Sequence, residues 1–233
     1  MPMTASQLCN LVCQICKAPG FTTQCGQFFN QTLEDLVLHR DLKVNRKTST
    51  LIVPANSTGP FALEADYLRT YDMFYLVNGD PYLLDPCSPK EFDQESQQAG
   101  ISSYPYEYAT DLSVEAQAAS ASAGQLNIYP PSNGQISITH RYMVNRPDIV
   151  SPESSISVPW FADQDYLIAA TAWRLMQITD DVRMEQFKAD ATNQLRLHLI
   201  MEGDEQQVVK HVELDPRQFR SGNWLRPTKT DPW

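Results

Sequence analysis

Asp163-Gln-Asp-Tyr-Leu-Ile-Ala-Ala-Thr-Ala-Trp-Arg-Leu-Met-Gln-Ile178 is a helix that is apolar on almost every side, broken only by Thr171 and Arg174. Such a helix must be covered on more than one face, by its own chain or by neighbours. It is too short and too interrupted to span a bilayer, so it is a packing element. Thr179-Asp180-Asp181 supplies acceptors and early carboxylates that suit the exposed amides of a second helix start. Met184, Phe187, Ala191, Leu195 and His198 then recur at spacings of three and four as one stripe, and Gly203 is a natural stop.

Working outward, Thr4-Ala-Ser-Gln7 has the form of a capping box and opens a helix that ends before Pro19-Gly20. Thr22 or Thr23 is expected to cap the next, which runs to about Asp41 with Phe29, Leu33, Leu36, Val37 and Arg40 on one side. The period then changes to two. Thr50 to Val53 reads as a strand, and Tyr71, Met73, Tyr75 and Val77 alternate onto one face of another. Asn78-Gly79 is the strongest short hairpin signal, with Tyr82-Leu83-Leu84 as the return, although Asp80-Pro81 could lengthen the loop. A short polar helix is expected from Pro89, beginning near Ser88. Strands are expected over Gln125–Tyr129 and Gln135–Val144, the second with Ile136, Ile138, His140, Tyr142 and Val144 sharing a face. The alanine- and serine-biased run from Ser113 to Gly124 reads as a connection, and Val208 to Leu214 as an edge strand.

The expected class is α+β: a bundle of about four α-helices, an inserted antiparallel β-domain and an extended C-terminal arm. Residues 1–45 form the first helical hairpin, 46–158 the insertion, 159–204 the helical pair that completes the bundle, and 205–233 the arm.

The composition is that of a soluble globular protein, 42% apolar and 20% charged over 233 residues. A formal charge of −10 argues against wrapping nucleic acid, which needs a basic surface. From Gln206 onward five cations face three carboxylates, so this tail is +2 and the rest of the chain −12. A slightly basic tail on an acidic body suits docking on something acidic, such as a neighbouring copy. No secretory leader is expected, because Leu8 to Ile15 is interrupted by Asn10 and Gln14 and lacks a basic lead-in. Five cysteines, an odd number, then fit a reducing compartment.

Sites of chemistry are weakly marked. Cys9, Cys13 and Cys16 share one helix side and Cys25 could approach them, but core packing explains this spacing better than zinc. Asp163, Asp165, Asp180 and Asp181 could serve acid–base chemistry, yet each pair sits at an expected helix start, where capping suffices. His39, His140, His198 and His211 form no ligand pair and flank no nucleophile motif. No catalytic residue, metal or cofactor is expected. The arm is more informative, because Phe219, Trp224, Leu225, Pro227 and Trp233 cannot be buried by an aperiodic segment alone. They fold back onto the protein or insert into a partner, together with Arg220 and Arg226.

Three stretches carry a resemblance: Phe61-Ala-Leu-Glu-Ala-Asp-Tyr-Leu-Arg69, Gly124-Gln-Leu-Asn-Ile-Tyr-Pro-Pro131, and Val158-Pro-Trp-Phe-Ala-Asp-Gln-Asp-Tyr-Leu-Ile168 running into Arg174-Leu-Met176. In these stretches, and in the order of its elements, the chain resembles the head-to-tail adaptor (connector) proteins of tailed bacteriophages, especially short-tailed ones. The resemblance implies a structural virion protein of the neck, assembled in the host cytoplasm. It implies a ring, commonly dodecameric, under the portal protein, extending the DNA channel and presenting a platform to the tail or nozzle protein. The expected partners are portal, sister subunits, tail and passing genomic DNA without sequence-specific binding; no membrane is expected. Phe219, Arg220, Trp224, Leu225, Arg226, Pro227 and Trp233 are then expected to contact portal or a neighbour. Tyr166, Ile168, Trp173, Met176 and Phe187 are expected in helix packing or a ring interface. The alternative is a tail completion or nozzle-type component; a zinc-binding or enzymatic protein is the weaker third reading. The long β-insertion departs from the simplest adaptors.

Overall fold

The computed structural model describes residues 2–96, 104–112 and 124–202. Thr4 forms the capping box in full, its hydroxyl accepting from the Gln7 amide while Gln7 accepts from the Thr4 amide, and this opens α1 (Ala5–Ile15). A 3-10 turn over Pro19–Phe21 leads into α2 (Thr22–His39). Neither Thr22 nor Thr23 caps it; Phe21 stands at the N-cap with no side-chain bond, because the tight turn already carries the chain into helical geometry.

The strands follow: β1 (Arg46–Val53), β2 (Phe61–Ala62), β3 (Tyr67–Val77), β4 (Asp80–Leu83) and β5 (Asp85–Pro86). Then come α3 (Pro89–Ser96), β6 (Glu107–Asp111), β7 (Gln125–Tyr129) and β8 (Ile136–Val144). They make two four-stranded sheets, ordered β1-β8-β3-β4 and β2-β7-β6-β5, antiparallel except for the β5–β6 pair. Val53, Met73, Tyr75 and Ile138 of the first sheet share one buried core with Tyr108, Leu126 and Ile128 of the second, so the inner faces pack on each other.

The Asn78-Gly79 turn has its expected form. Val77 pairs directly with Asp80, so the loop is two residues and Asp80-Pro81 does not lengthen it. Both loop residues take positive φ, 54° and 96°, as a primed turn requires. Two expectations were off. β1 begins at Arg46 rather than Thr50, its first half being polar because it is an exposed sheet edge. Tyr71 is not an inward residue: the register shifts between Thr70 and Asp72, which turns its ring outward, 47% exposed, under the Arg46 guanidinium.

The last two helices are α4 (Gln164–Thr179) and α5 (Met184–Glu202). Asp163 caps α4 as expected, accepting from the Tyr166 amide at 3.0 Å. Asp180 does not open α5. It closes α4 in the left-handed region at φ 51°, which a short polar side chain tolerates, and Asp181 accepts from the Arg183 amide at 2.9 Å. α1, α2, α4 and α5 all contribute to one buried cluster that includes Leu8, Val12, Phe29, Leu36, Leu175 and Leu195. Ala169, Ala170 and Ala172 let neighbouring helices approach α4 closely.

Polar bonds fix the sheets to the helices. Arg69 of β3 donates to the Leu38 carbonyl of α2 at 2.7 Å and to Asp41 just past that helix at 2.6 Å, and Arg146, after β8, donates to the Val44 carbonyl in the turn that leads into β1 at 2.8 Å.

Candidate functional site

The cover demanded by α4 is largely supplied by its own chain, through α1, α2 and α5. Tyr166 and Met176 are buried in the helical core, and Ile168 and Phe187 are half-buried against it. Trp173 is half-buried and forms the wall of a groove of about 470 Å³ between α2, α4 and α5. The Arg174 guanidinium and the Lys188 ammonium lie 5.6 and 5.7 Å from its ring, a cation on either neighbour of one indole. Arg174 is ion-paired with Asp35 of α2. Arg40 and Arg196 also line the groove, with Leu195, Leu199 and Ile200 as its apolar part. The Nε1 of Trp173 is buried without a hydrogen-bond partner among the described residues.

α5 is the least covered of the long helices. Only Ala191 and Leu195 are fully buried, while Leu197, Ile200 and Met201 are exposed, Met201 at 85%. At its other end Ile178 and Val182 are exposed, Val182 at 97%. Exposed apolar side chains thus stand at both ends of α5: Leu197, Ile200 and Met201 near its last turn, and Ile178 at the end of α4 with Val182 in the loop that leads in. The spacing rule found the inward stripe of α5; Leu197, Ile200 and Met201 recur at i, i+3 and i+4 as well, and spacing alone does not say which of two apolar stripes faces inward.

The cysteines pack. Cys9, Cys13, Cys16 and Cys25 are all buried and free, with Cys25 Sγ 3.5 Å from the Cys9 carbonyl and Cys16 Sγ 3.8 Å from that of Ala172. Burial pushes the Cys16 thiol up to about 11, which keeps it protonated rather than a nucleophile. Among the described residues no group of three or more histidines, cysteines and carboxylates could hold a metal ion.

His140 is 3% exposed inside the sandwich, 3.1 Å from the Thr70 hydroxyl and between the Tyr67 and Tyr142 rings. Burial drives its pKa down to about 4, against a weak upward pull from Asp72, so it is a neutral packing residue at pH 7. His198 packs on Phe161 at 4.6 Å and lies 3.3 Å from Glu202. Asp163 and Asp181 cap, and paired hydrogen bonds from Arg183 hold the Asp181 carboxyl at about 2. His211 and the arm residues Phe219, Arg220, Trp224, Leu225, Arg226, Pro227 and Trp233 lie outside the described residues.

One electrostatic feature had no signal in the sequence. α3 packs on β6, and this brings Glu91 and Glu95 toward Glu107 and Asp85. Desolvation, then the contact with Glu95, raises the Glu107 pKa, and Glu95 Oε2 is buried without a partner among the described residues.

Among the described residues no helix is long and apolar enough to cross a membrane. No curated protein matches the chain. The model of the SU10 adaptor protein family matches residues 3–211, most of the chain and all three stretches that carry the adaptor resemblance, and the chain belongs to that family.

Proposed function

We propose that this chain is a structural virion protein, a head-to-tail adaptor that forms a ring, dodecameric in our reading, beneath the portal of a tailed phage. It extends the DNA channel and offers the platform on which the tail is built. The adaptor-family match over residues 3–211 carries this reading, and the exposed apolar residues of α5 support it as surface reserved for a partner. The helices before and after the strands act as one bundle, with 46–158 as an insertion. The arm from 205 onward contacts portal or a neighbour through Phe219, Trp224, Leu225 and Trp233, flanked by Arg220 and Arg226. The chain's negative charge suits a channel through which phosphates slide without sticking.

The test is complementation. Heads assembled without this chain should carry portal and packaged DNA but accept no tails, and purified protein should restore tail joining. If heads lacking the chain still acquire a complete neck and fail only at the tail tip, the protein is a tail or nozzle component instead. Deleting 218–233 should leave the monomer folded and weaken assembly.

A further inference from the structure

We propose that the groove between α2, α4 and α5 is the receiving half of a contact between copies of this chain, and that the acidic edge of α3, β5 and β6 on the next copy is what it receives. The inference rests on the ring reading above, and a ring requires two different surfaces on each copy that fit each other.

Both surfaces have charge left over. In the groove, four cations face one carboxylate, and that carboxylate, Asp35, is already paired with Arg174. Arg40, Lys188 and Arg196 are in no ion pair among the described residues. At the other surface the charges of Glu95, Asp85 and Glu91 all act on Glu107, Glu91 itself being held by the Ser88 amide and hydroxyl, and Lys90 on the same helix is ion-paired with none of them among the described residues. Desolvation and the contact with Glu95 raise Glu107, one Glu95 oxygen is buried without a partner among the described residues, and no cation of the described chain is ion-paired with this edge.

The rest of the chain outside its tail carries −12, so a basic groove on it is complementary to another copy's surface. The arm is the other occupant within reach, since α5 ends at Glu202 beside Leu199 and Ile200 of the groove. Over 205–233 it carries five cations against four carboxylates, a net +1 that does not complement a basic groove, and we assign it to another surface. The groove also supplies what a charge pair alone lacks. Trp173, Leu195 and Leu199 give it apolar walls that exclude water around the ions.

The experiment counts copies of the full chain on purified portal by native mass spectrometry. Wild type should fill cooperatively, giving empty or complete rings with few partial ones. K188E/R196E and D85K/E95K should each bind portal in scattered partial numbers, with about a tenfold or greater loss of neighbour-dependent affinity. The second substitution places a lysine beside Glu107, which is compatible with the fold; circular dichroism checks both variants. The quadruple variant, with both charges inverted, should fill cooperatively again. If both double variants fill as wild type does, or both fail and the quadruple does not recover, the contact is not between these surfaces. A K188E/R196E variant that fills normally but loses binding to duplex DNA assigns the groove to nucleic acid and overturns the proposal. If wild type ignores portal altogether, the ring reading itself fails and takes this inference with it.

Discussion

Acidification should loosen the β-sandwich through His140. The ring is 3% exposed and its pKa falls from 6.5 to about 4 in the folded chain. Between those values the unfolded chain binds a proton that the folded one refuses, so stability is whole above pH 6.5 and declines as pH falls toward 4. The difference of about 2.5 units corresponds to about 3 kcal/mol in all, of which about 2 is gone by pH 5. Against a domain stability of about 5–15 kcal/mol this is a large fraction. The facing groups are Asp72, whose charge opposes the shift weakly, and the Tyr67 and Tyr142 rings. Asp66, its pKa lowered by Lys47 and Tyr142 against a desolvation that raises it, adds acid loss only below the ordinary carboxylate range. Hydrogen exchange of peptides covering β3 and β8, read at pH 7, 6 and 5 and corrected for intrinsic rates, isolates this part of the molecule. Trp160 and Trp173 lie with the helices and would report those instead. His140→Gln keeps a polar group near Thr70 without a titrating ring, so its protection should be nearly flat over the same range. If wild type and His140→Gln lose protection in parallel, the reasoning is wrong.

Three further outcomes follow from the packing. Leu175→Ala, at a fully buried site, should cost about 2–5 kcal/mol, more than Trp173→Ala on the half-open groove wall; thermal melts that reverse this order would contradict the placement of α4. Glu107→Gln should raise the melting temperature at pH 7 but not at pH 4, because a carboxyl with raised pKa loses stability as pH rises through that pKa; an equal shift at both pH values would show that the glutamate pair is not the cause. Gly79→Ala, at φ 96°, should cost about 1 kcal/mol by urea titration; no loss would mean that the primed turn is not held.

Legibility followed the range of the interaction. The Thr4–Gln7 box, the Asp163 cap, the Asn78-Gly79 turn and the alternation of β8 depend on residues within a few positions of each other, and each stood in the sequence as it stands in the fold. Asp180 shows where local reading divides, since the same short carboxylate serves at a helix start or, in the left-handed region, at a helix end. Tyr71 fell on the wrong face because one register shift inverts a strand's alternation, and nothing in the strand's own residues announces it. The groove and the glutamate cluster are contacts between elements far apart in sequence: Asp35 meets Arg174, and α3 meets β6. Of the residues expected in helix packing or a ring interface, Tyr166 and Met176 belong to the chain's own core, and hydrophobicity alone does not separate an inward side chain from one kept for a partner.

The most direct test of the account is the mass of the protein alone and then with the portal of the same phage, by light scattering or native mass spectrometry. The account predicts a chain that adds to portal in one fixed, ring-sized number, with no larger complexes of mixed size. A protein that leaves the portal's mass unchanged would contradict it.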